Sequence, residues 1–225
     1  LPNDKHIDKE HIDKEKAPKA KQTPSKIEQG WETALSDVGN AERLVKRHGS
    51  KIKYCSSLGK WFIWNGKIWE KDNSGKIVSY AIKTARSVYQ EASLATNLDD
   101  QKKVLKHALK SQERPRLAAM AYIAQHMVAV NQDELDSDPW LLNVENGTVD
   151  LKTGNLLPHD PEKLITKICN TELNPDAKCP LWMDFLSKIM DGNQTLVDFL
   201  QRVFGYSLTG VTSEQCLFIL YGTGR

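Results

Sequence analysis

Leu141-Leu142-Asn143-Val144-Glu145-Asn146-Gly147-Thr148-Val149-Asp150-Leu151 places two short β-prone runs on either side of Glu-Asn-Gly. A turn rich in Asn and Gly between such runs is an antiparallel hairpin signal. Lys152-Thr153-Gly154-Asn155 then turns the chain again into Leu156-Leu157-Pro158, so a meander is expected. Leu164-Ile165-Thr166-Lys167-Ile168 is expected to add another strand. Upstream, Lys60-Trp61-Phe62-Ile63-Trp64 and Lys67-Ile68-Trp69-Glu70 flank Asn65-Gly66, a second hairpin signal, with Ile52-Lys53-Tyr54-Cys55 as a strand beside it. Alternation puts Trp61 and Ile63 on one face of that sheet and Phe62 and Trp64 on the other.

Helices separate and flank these strands. Residues 40–48 read as a short helix capped by Asp37 or Asn40 and ended by Gly49. Between residues 76 and 130, Ile77, Tyr80, Ala81, Thr84, Val88 and Leu94 recur at helical spacing, as do Val104, Leu105, Ala108 and Leu109. Pro115 fits the first turn of the next helix, where its missing N–H costs nothing. That helix, 116–130, is rich in Ala, Met and Ile and belongs at the centre of the bundle. After Asn174-Pro175, residues 180–190 and 194–208 form two amphipathic helices, with Trp182, Phe185, Leu186 and Ile189 on one face of the first and Leu196, Phe199, Leu200 and Val203 on one face of the second. The fold class is therefore α+β: a helical domain with a Trp-rich hairpin near the front, a small antiparallel meander in the middle and a helix pair at the end. Residues 215–221 are expected to form a final, buried parallel strand.

Composition bounds the function. In 225 residues the formal net charge is +2, too balanced to argue for nucleic acid by itself. No run approaches the ~18 apolar residues of a membrane span, and the charged N-terminus lacks the apolar region of a secretory signal. Cys55, Cys169, Cys179 and Cys216 share no C-x-x-C spacing, so reduced and mostly buried thiols in a cytoplasmic protein are expected. Residues 1–30 repeat His6-Ile7-Asp8-Lys9-Glu10 as His11-Ile12-Asp13-Lys14-Glu15 and continue through Lys and Pro. With almost no apolar residue to bury, this segment reads as a disordered polar linker. Three parts follow: the linker 1–30, an α+β domain 31–178, and a helix pair with the start of a further domain, 179–225.

The last residues, Gly222-Thr223-Gly224-Arg225, follow the apolar run Cys216-Leu217-Phe218-Ile219-Leu220-Tyr221. A buried strand entering Gly-x-Gly is how a phosphate-binding loop, G-x-x-x-x-G-K-[ST], begins. The order of the pieces is more specific than any one of them. The Trp-rich hairpin and helices lead to Asn143-Val144-Glu145-Asn146-Gly147-Thr148-Val149-Asp150-Leu151-Lys152-Thr153-Gly154. Pro158-His159-Asp160-Pro161, Leu164-Ile165-Thr166-Lys167 and Cys179-Pro180-Leu181-Trp182 follow, then Leu200-Gln201-Arg202, Gly205-Tyr206-Ser207-Leu208-Thr209-Gly210 and the segment 215–224. This series resembles the domain ahead of the motor in phage/plasmid and poxvirus-type primase–helicases, whose motors belong to helicase superfamily 3, over about residues 40–225. The resemblance implies a parent chain with an upstream primase domain, a linker, this domain and a downstream AAA+-like ATPase. It further implies a hexamer that moves along single-stranded or forked DNA with ATP and Mg, and a collar or adaptor role for this domain. Gly222, Thr223 and Gly224 would then open the Walker A loop. The Lys, the magnesium-binding hydroxyl and the acids of Walker B would lie downstream, so residues 1–225 alone are expected to be inactive and to need no cofactor.

Candidate DNA-binding residues come from the densest basic stretch. Lys103, Lys106 and Lys110 share one helical face, and Lys102, His107, Arg114 and Arg116 lie close by. Such a face contacts phosphates, or is simply a solvated helix surface. The hairpin tryptophans suit either base stacking or core packing. Asp133, Glu134, Asp136 and Asp138 form an acidic run that reads as a solvated loop rather than a metal site, and no catalytic constellation is legible. A stand-alone DNA-binding or protein-interaction module without enzymatic activity is the competing reading.

Overall fold

The computed structural model describes residues 34–222, and within them the first helix, α1 (Asp37–His48), starts at Ser36. The Ser36 hydroxyl accepts the Gly39 N–H at 3.1 Å, satisfying one orphan donor of the first turn. Ser36 therefore takes the capping role expected of Asp37 or Asn40. Gly39 is required for close approach, because a Cβ there would collide with the Ala34 carbonyl.

A four-stranded sheet follows, built from β1 (Ile52–Cys55), β2 (Lys60–Trp64), β3 (Trp69–Lys71) and, much later in the chain, β4 (Ala129–Val130), in the order β3-β2-β1-β4. The first three strands pair antiparallel, whereas β4 pairs parallel to β1. The expected antiparallel sheet is thus mixed. The short β4 returns from the helices to satisfy the free edge of β1. The Asn65-Gly66 turn is longer than a two-residue hairpin turn, since Trp64 pairs with Trp69 across it. The Asn65 carboxamide oxygen accepts the N–H groups of Lys67 and Ile68 at 2.8 and 2.9 Å and so organises the loop.

Alternation along β1 and β2 serves two cores. Ile52 and Ile63 face a cluster with Ala41, Leu44, Ile77, Ala81, Met120 and Ala124. Cys55, Phe62 and Trp69 face the opposite way, with Val130, Leu135 and Leu164. Trp61 packs against the first cluster and Trp64 against the second. The indoles are therefore packing elements rather than an open stacking platform.

The helices α2 (Lys76–Glu91), α3 (Leu98–Lys110) and α4 (Arg114–Met127) follow β3. Pro115 sits in the first turn of α4, as its chemistry requires. Met120 and Ala124 of α4 are fully buried against α1 and α2, which makes α4 the central helix. On α3, Val104 and Ala108 enter the core with Val88 and Ala92, whereas Leu105, Leu109 and Leu94 are exposed, contrary to expectation. Two apolar stripes share α3, and among the described residues only one has a facing helix.

The second sheet is β5 (Leu141–Val144), β6 (Gly147–Asp150) and β7 (Leu156–Leu157), antiparallel throughout. Val144 pairs with Gly147, so the turn is Glu145-Asn146 and the glycine belongs to the strand. A Cβ on Gly147 would strike the Leu157 carbonyl, so close passage of β7 dictates glycine there. Residues 164–168 form no strand, apart from a single bridge nearby between Cys169 and Val144. Instead they act as a strap: the Ile165 carbonyl accepts the Trp69 N–H at 2.9 Å, and Asp136 accepts the Thr166 N–H and hydroxyl at 2.7 and 2.6 Å. Of the cysteines, only Cys55 is buried. Cys169 and Cys179 lie in exposed connections, and Cys216 lies in a segment that does not pair.

The final helices, α5 (Pro180–Ile189) and α6 (Gln194–Leu208), form a hairpin around Leu186, Val197 and Leu200. Residues 215–221 do not form the expected strand, and Leu217 and Tyr221 are 83% and 97% exposed. An isolated strand leaves its N–H and C=O groups unpaired, and among the described residues no strand lies beside it. The expected linker 1–30 lies outside the described residues.

One buried ion pair ties the first helix to the end of the second. Arg43 donates through Nε and Nη2 to the Glu91 carboxylate at 2.7–3.0 Å and through Nη1 to the Ala34 carbonyl at 2.9 Å. The two side chains are 5% and 19% exposed, so removing one partner breaks an ion pair held largely away from water. Glu91→Ala should cost about 3–5 kcal/mol in urea unfolding. Replacing both partners by Leu should cost less.

Candidate nucleic-acid interface

The basic face expected on α3 exists. Lys102, Lys103, Lys106 and Lys110 are all exposed. By helix geometry their side chains span about 100° of the α3 surface, away from the buried arc of Val104 and Ala108. Arg114, in the first turn of α4, is also exposed. Two of the candidate cations are already engaged. Lys103 pairs with Asp100 one turn earlier at 2.9 Å, a contact that lowers the Asp100 carboxyl and raises the Lys103 amine from their ordinary values. Arg116 donates to Asp37 in the first turn of α1 at 2.6 Å. Lys106, Lys110 and Arg114 make no ion pair among the described residues.

Beside this face lies a polar cavity of about 170 Å³, bounded by Asp37, His107, Lys110, Ser111 and Arg116. Its floor is a buried network. Asn40 donates through Nδ2 to the Ser111 hydroxyl at 2.9 Å, and His107 Nε2 lies 3.0 Å from the Asn40 carboxamide oxygen. This geometry suits a neutral imidazole donating from Nε2. Burial first, and the Arg43 guanidinium second, hold the His107 pKa below its ordinary value of 6.5.

Three of the four acids in the acidic run are held in local structure. Glu134 accepts the Asn131 backbone N–H in a capping box, Asp136 holds Thr166, and Asp138 accepts the Trp140 N–H at 2.9 Å. Among the described residues, no three His, Cys, Asp or Glu side chains converge as a metal site. The start of the expected phosphate loop is not assembled as a cradle either. Gly222 is exposed, and open space surrounds the position of its Cβ. Thr223 and Gly224 lie outside the described residues.

Comparison with known families is decisive. The family described as "D5 N terminal like" matches residues 41–191, from the first turns of α1 through the end of α5. The chain belongs to this D5 N-terminal-like family. It is the domain that precedes the superfamily 3 helicase/primase region in phage, plasmid and poxvirus primase–helicases, as the order of the sequence signatures implied. No curated protein matches the chain. Among the described residues, no helix is long and apolar enough to cross a membrane. Sequence reasoning missed a second cationic group, formed by the end of α1 with Lys83 of α2, because only the packing of those helices brings its members together.

The His107 network carries a pH dependence whose sign is fixed. The unfolded chain takes up a proton near pH 6.5, whereas the folded chain resists it. The contribution of His107 is therefore complete above that pH and is lost as the pH falls below it. Stability measured in urea should decline from about pH 7.5 to about 5.5, and His107→Gln should flatten part of that decline.

Proposed function

We propose that this D5 N-terminal-like domain is a non-catalytic collar that joins copies of a primase–helicase and guides DNA toward its motor. The observation that supports joining is the apolar exterior of the α5–α6 hairpin. Trp182 and Phe185 remain 44% and 49% exposed, and Leu196, Phe199, Phe204 and Leu208 are exposed beside them. Aromatic and aliphatic surface of this kind, concentrated on one helix pair, marks an interaction site in soluble proteins. The family position ahead of the motor supports a second copy of the chain as its occupant, in the ring that a superfamily 3 motor forms.

The lysine face of α3, with the exposed Arg114 following it in the chain, supports the guiding role. It offers point charges for phosphates without a base-reading element, which suits sequence-independent passage of single-stranded or forked DNA. On this reading, ATP and Mg belong to the downstream ATPase with Gly222, Thr223 and Gly224 at its threshold, a primase domain lies upstream, and the parent works in the cytoplasm.

Two measurements test the reading. In the full primase–helicase, Phe185→Glu with Phe199→Glu should lower the oligomeric mass seen by light scattering; an unchanged mass would remove α5–α6 from the interface. Lys103→Glu, Lys106→Glu and Lys110→Glu together should weaken binding of forked DNA. They should also lower the slope of log K against log salt by about 2–3. An unchanged slope would return α3 to the status of a solvated helix face.

A further inference from the structure

Arg47 and His48 end α1, Lys51 closes the 3₁₀ turn Gly49–Lys51 that follows, and Lys83 projects from the middle of α2. The packing of α1 on α2 gathers them. The His48 ring stacks on Tyr80 with centroids 4.4 Å apart and planes 22° from parallel, and Lys83 Nζ lies 5.9 Å from the Tyr80 centroid. Arg47, Lys51 and Lys83 are exposed, and none makes an ion pair among the described residues. This separates them from Arg43, Lys103 and Arg116, each of which has a carboxylate within 2.9 Å.

The charges are close enough to act on one another. After burial, the influences that lower the His48 pKa are Arg47, Lys83 and Lys51, in that order. Part of this arrangement has a local explanation, because cations in the last turn of a helix complement its dipole. That accounts for Arg47 and His48. It does not account for Lys51, which lies past the helix end, or for Lys83, which comes from the middle of another helix. Like charges held together oppose folding, and a bound polyanion relieves that repulsion.

We infer that Arg47, Lys51 and Lys83, arranged around the stacked His48–Tyr80 pair, form a binding site for the sugar–phosphate backbone of single-stranded nucleic acid. The cations meet successive phosphates. The partly exposed aromatic pair supplies a flat surface for a sugar or base, the combination by which single strands are held without sequence preference. The site is open, since Arg47, Lys51 and Lys83 are all exposed, which suits a passing strand better than an enclosed nucleotide. The ligand class rests on the DNA-guiding reading, whereas the residues are independent of the α3 face.

The test uses the full chain and a fluorescein-labelled oligonucleotide of about 20 deoxythymidines, with anisotropy read across a salt series. Arg47→Gln, Lys51→Gln and Lys83→Gln together should weaken binding about tenfold at low salt and reduce the salt slope by about 2, from roughly 0.7 per phosphate contact on a single strand. Tyr80→Leu should weaken binding while leaving the slope in place. In the unaltered chain, the His48 titration followed by NMR should move to higher pH when the oligonucleotide is added, because its phosphates offset Arg47, Lys51 and Lys83. This readout needs no variant to fold. Unchanged affinity and slope in the triple variant with an unmoved His48 titration, while the α3 triple variant loses binding, would overturn this site and leave the guiding reading intact. Absence of oligonucleotide binding by the unaltered chain would overturn both. Binding to anionic phospholipid vesicles without binding to the oligonucleotide would assign the cations to a membrane surface and overturn the site.

Discussion

Asn143 is the joint between the two sheets. Its side chain is buried, with the residue only 4% exposed, and it cannot stay there unless its polar atoms are matched. Its Nδ2 donates to the Lys67 carbonyl in the turn of the Trp-rich hairpin at 3.0 Å. Its Oδ1 accepts the Thr148 hydroxyl at 2.7 Å and lies 3.0 Å from His159 Nδ1. One carboxamide thus binds the front hairpin, the partner strand and the segment that follows the meander. The Lys67–Glu145 ion pair closes the same seam from outside, although its partners are more than a third exposed and add little by themselves.

Trp69 completes the joint. It is 1% exposed, so its indole N–H needs a partner, and the Pro161 carbonyl accepts it at 2.8 Å. The segment that supplies this carbonyl runs into the strap at Leu164, whose φ of 50° is a left-handed conformation uncommon outside glycine. The same side chain packs against the Phe62 and Trp69 cluster, so burial there offsets the backbone cost. The two sheets could not hold a fixed relation through their short strands alone. These few matched polar atoms and one buried indole set it, and the helices that carry the cationic faces are built on the sheet so held.

Much of this was legible in the chain. Asn-Gly turns between alternating runs located both hairpins, and the Pro at the start of α4, the apolar period of α5 and α6 and the order of the signatures pointed to the family. What escaped was set by partners distant in sequence. Leu105 and Val104 have equal claims on a helical stripe, and only the position of α2 decides that Val104 is inside. Residues 164–168 have strand-like composition, yet Asp136 and Trp69 claim their backbone groups one at a time. The 215–221 run is apolar enough for a buried strand, but among the described residues no strand lies beside it to accept its hydrogen bonds. For the candidate interface, the lysine face of α3 and the local Lys103–Asp100 pair follow from spacing, whereas the pairing of Arg116 with Asp37, and the gathering of Lys83 with the end of α1, are properties of packing.

The α5–α6 hairpin keeps its own small cluster of Leu186, Val197 and Leu200, apart from the clusters that unite the two sheets and the first four helices. Among its links to the rest is the Gly210 N–H to the Pro139 carbonyl at 2.8 Å. A segment with so little shared burial is a separate cooperative unit, able to open and close while the remainder stays native. Amide protons in α5 and α6 would then exchange at a lower free energy than those of α4. Whatever docks on the outer face of the hairpin would also supply the protection its own core lacks, so assembly and local folding of this unit would be a single equilibrium.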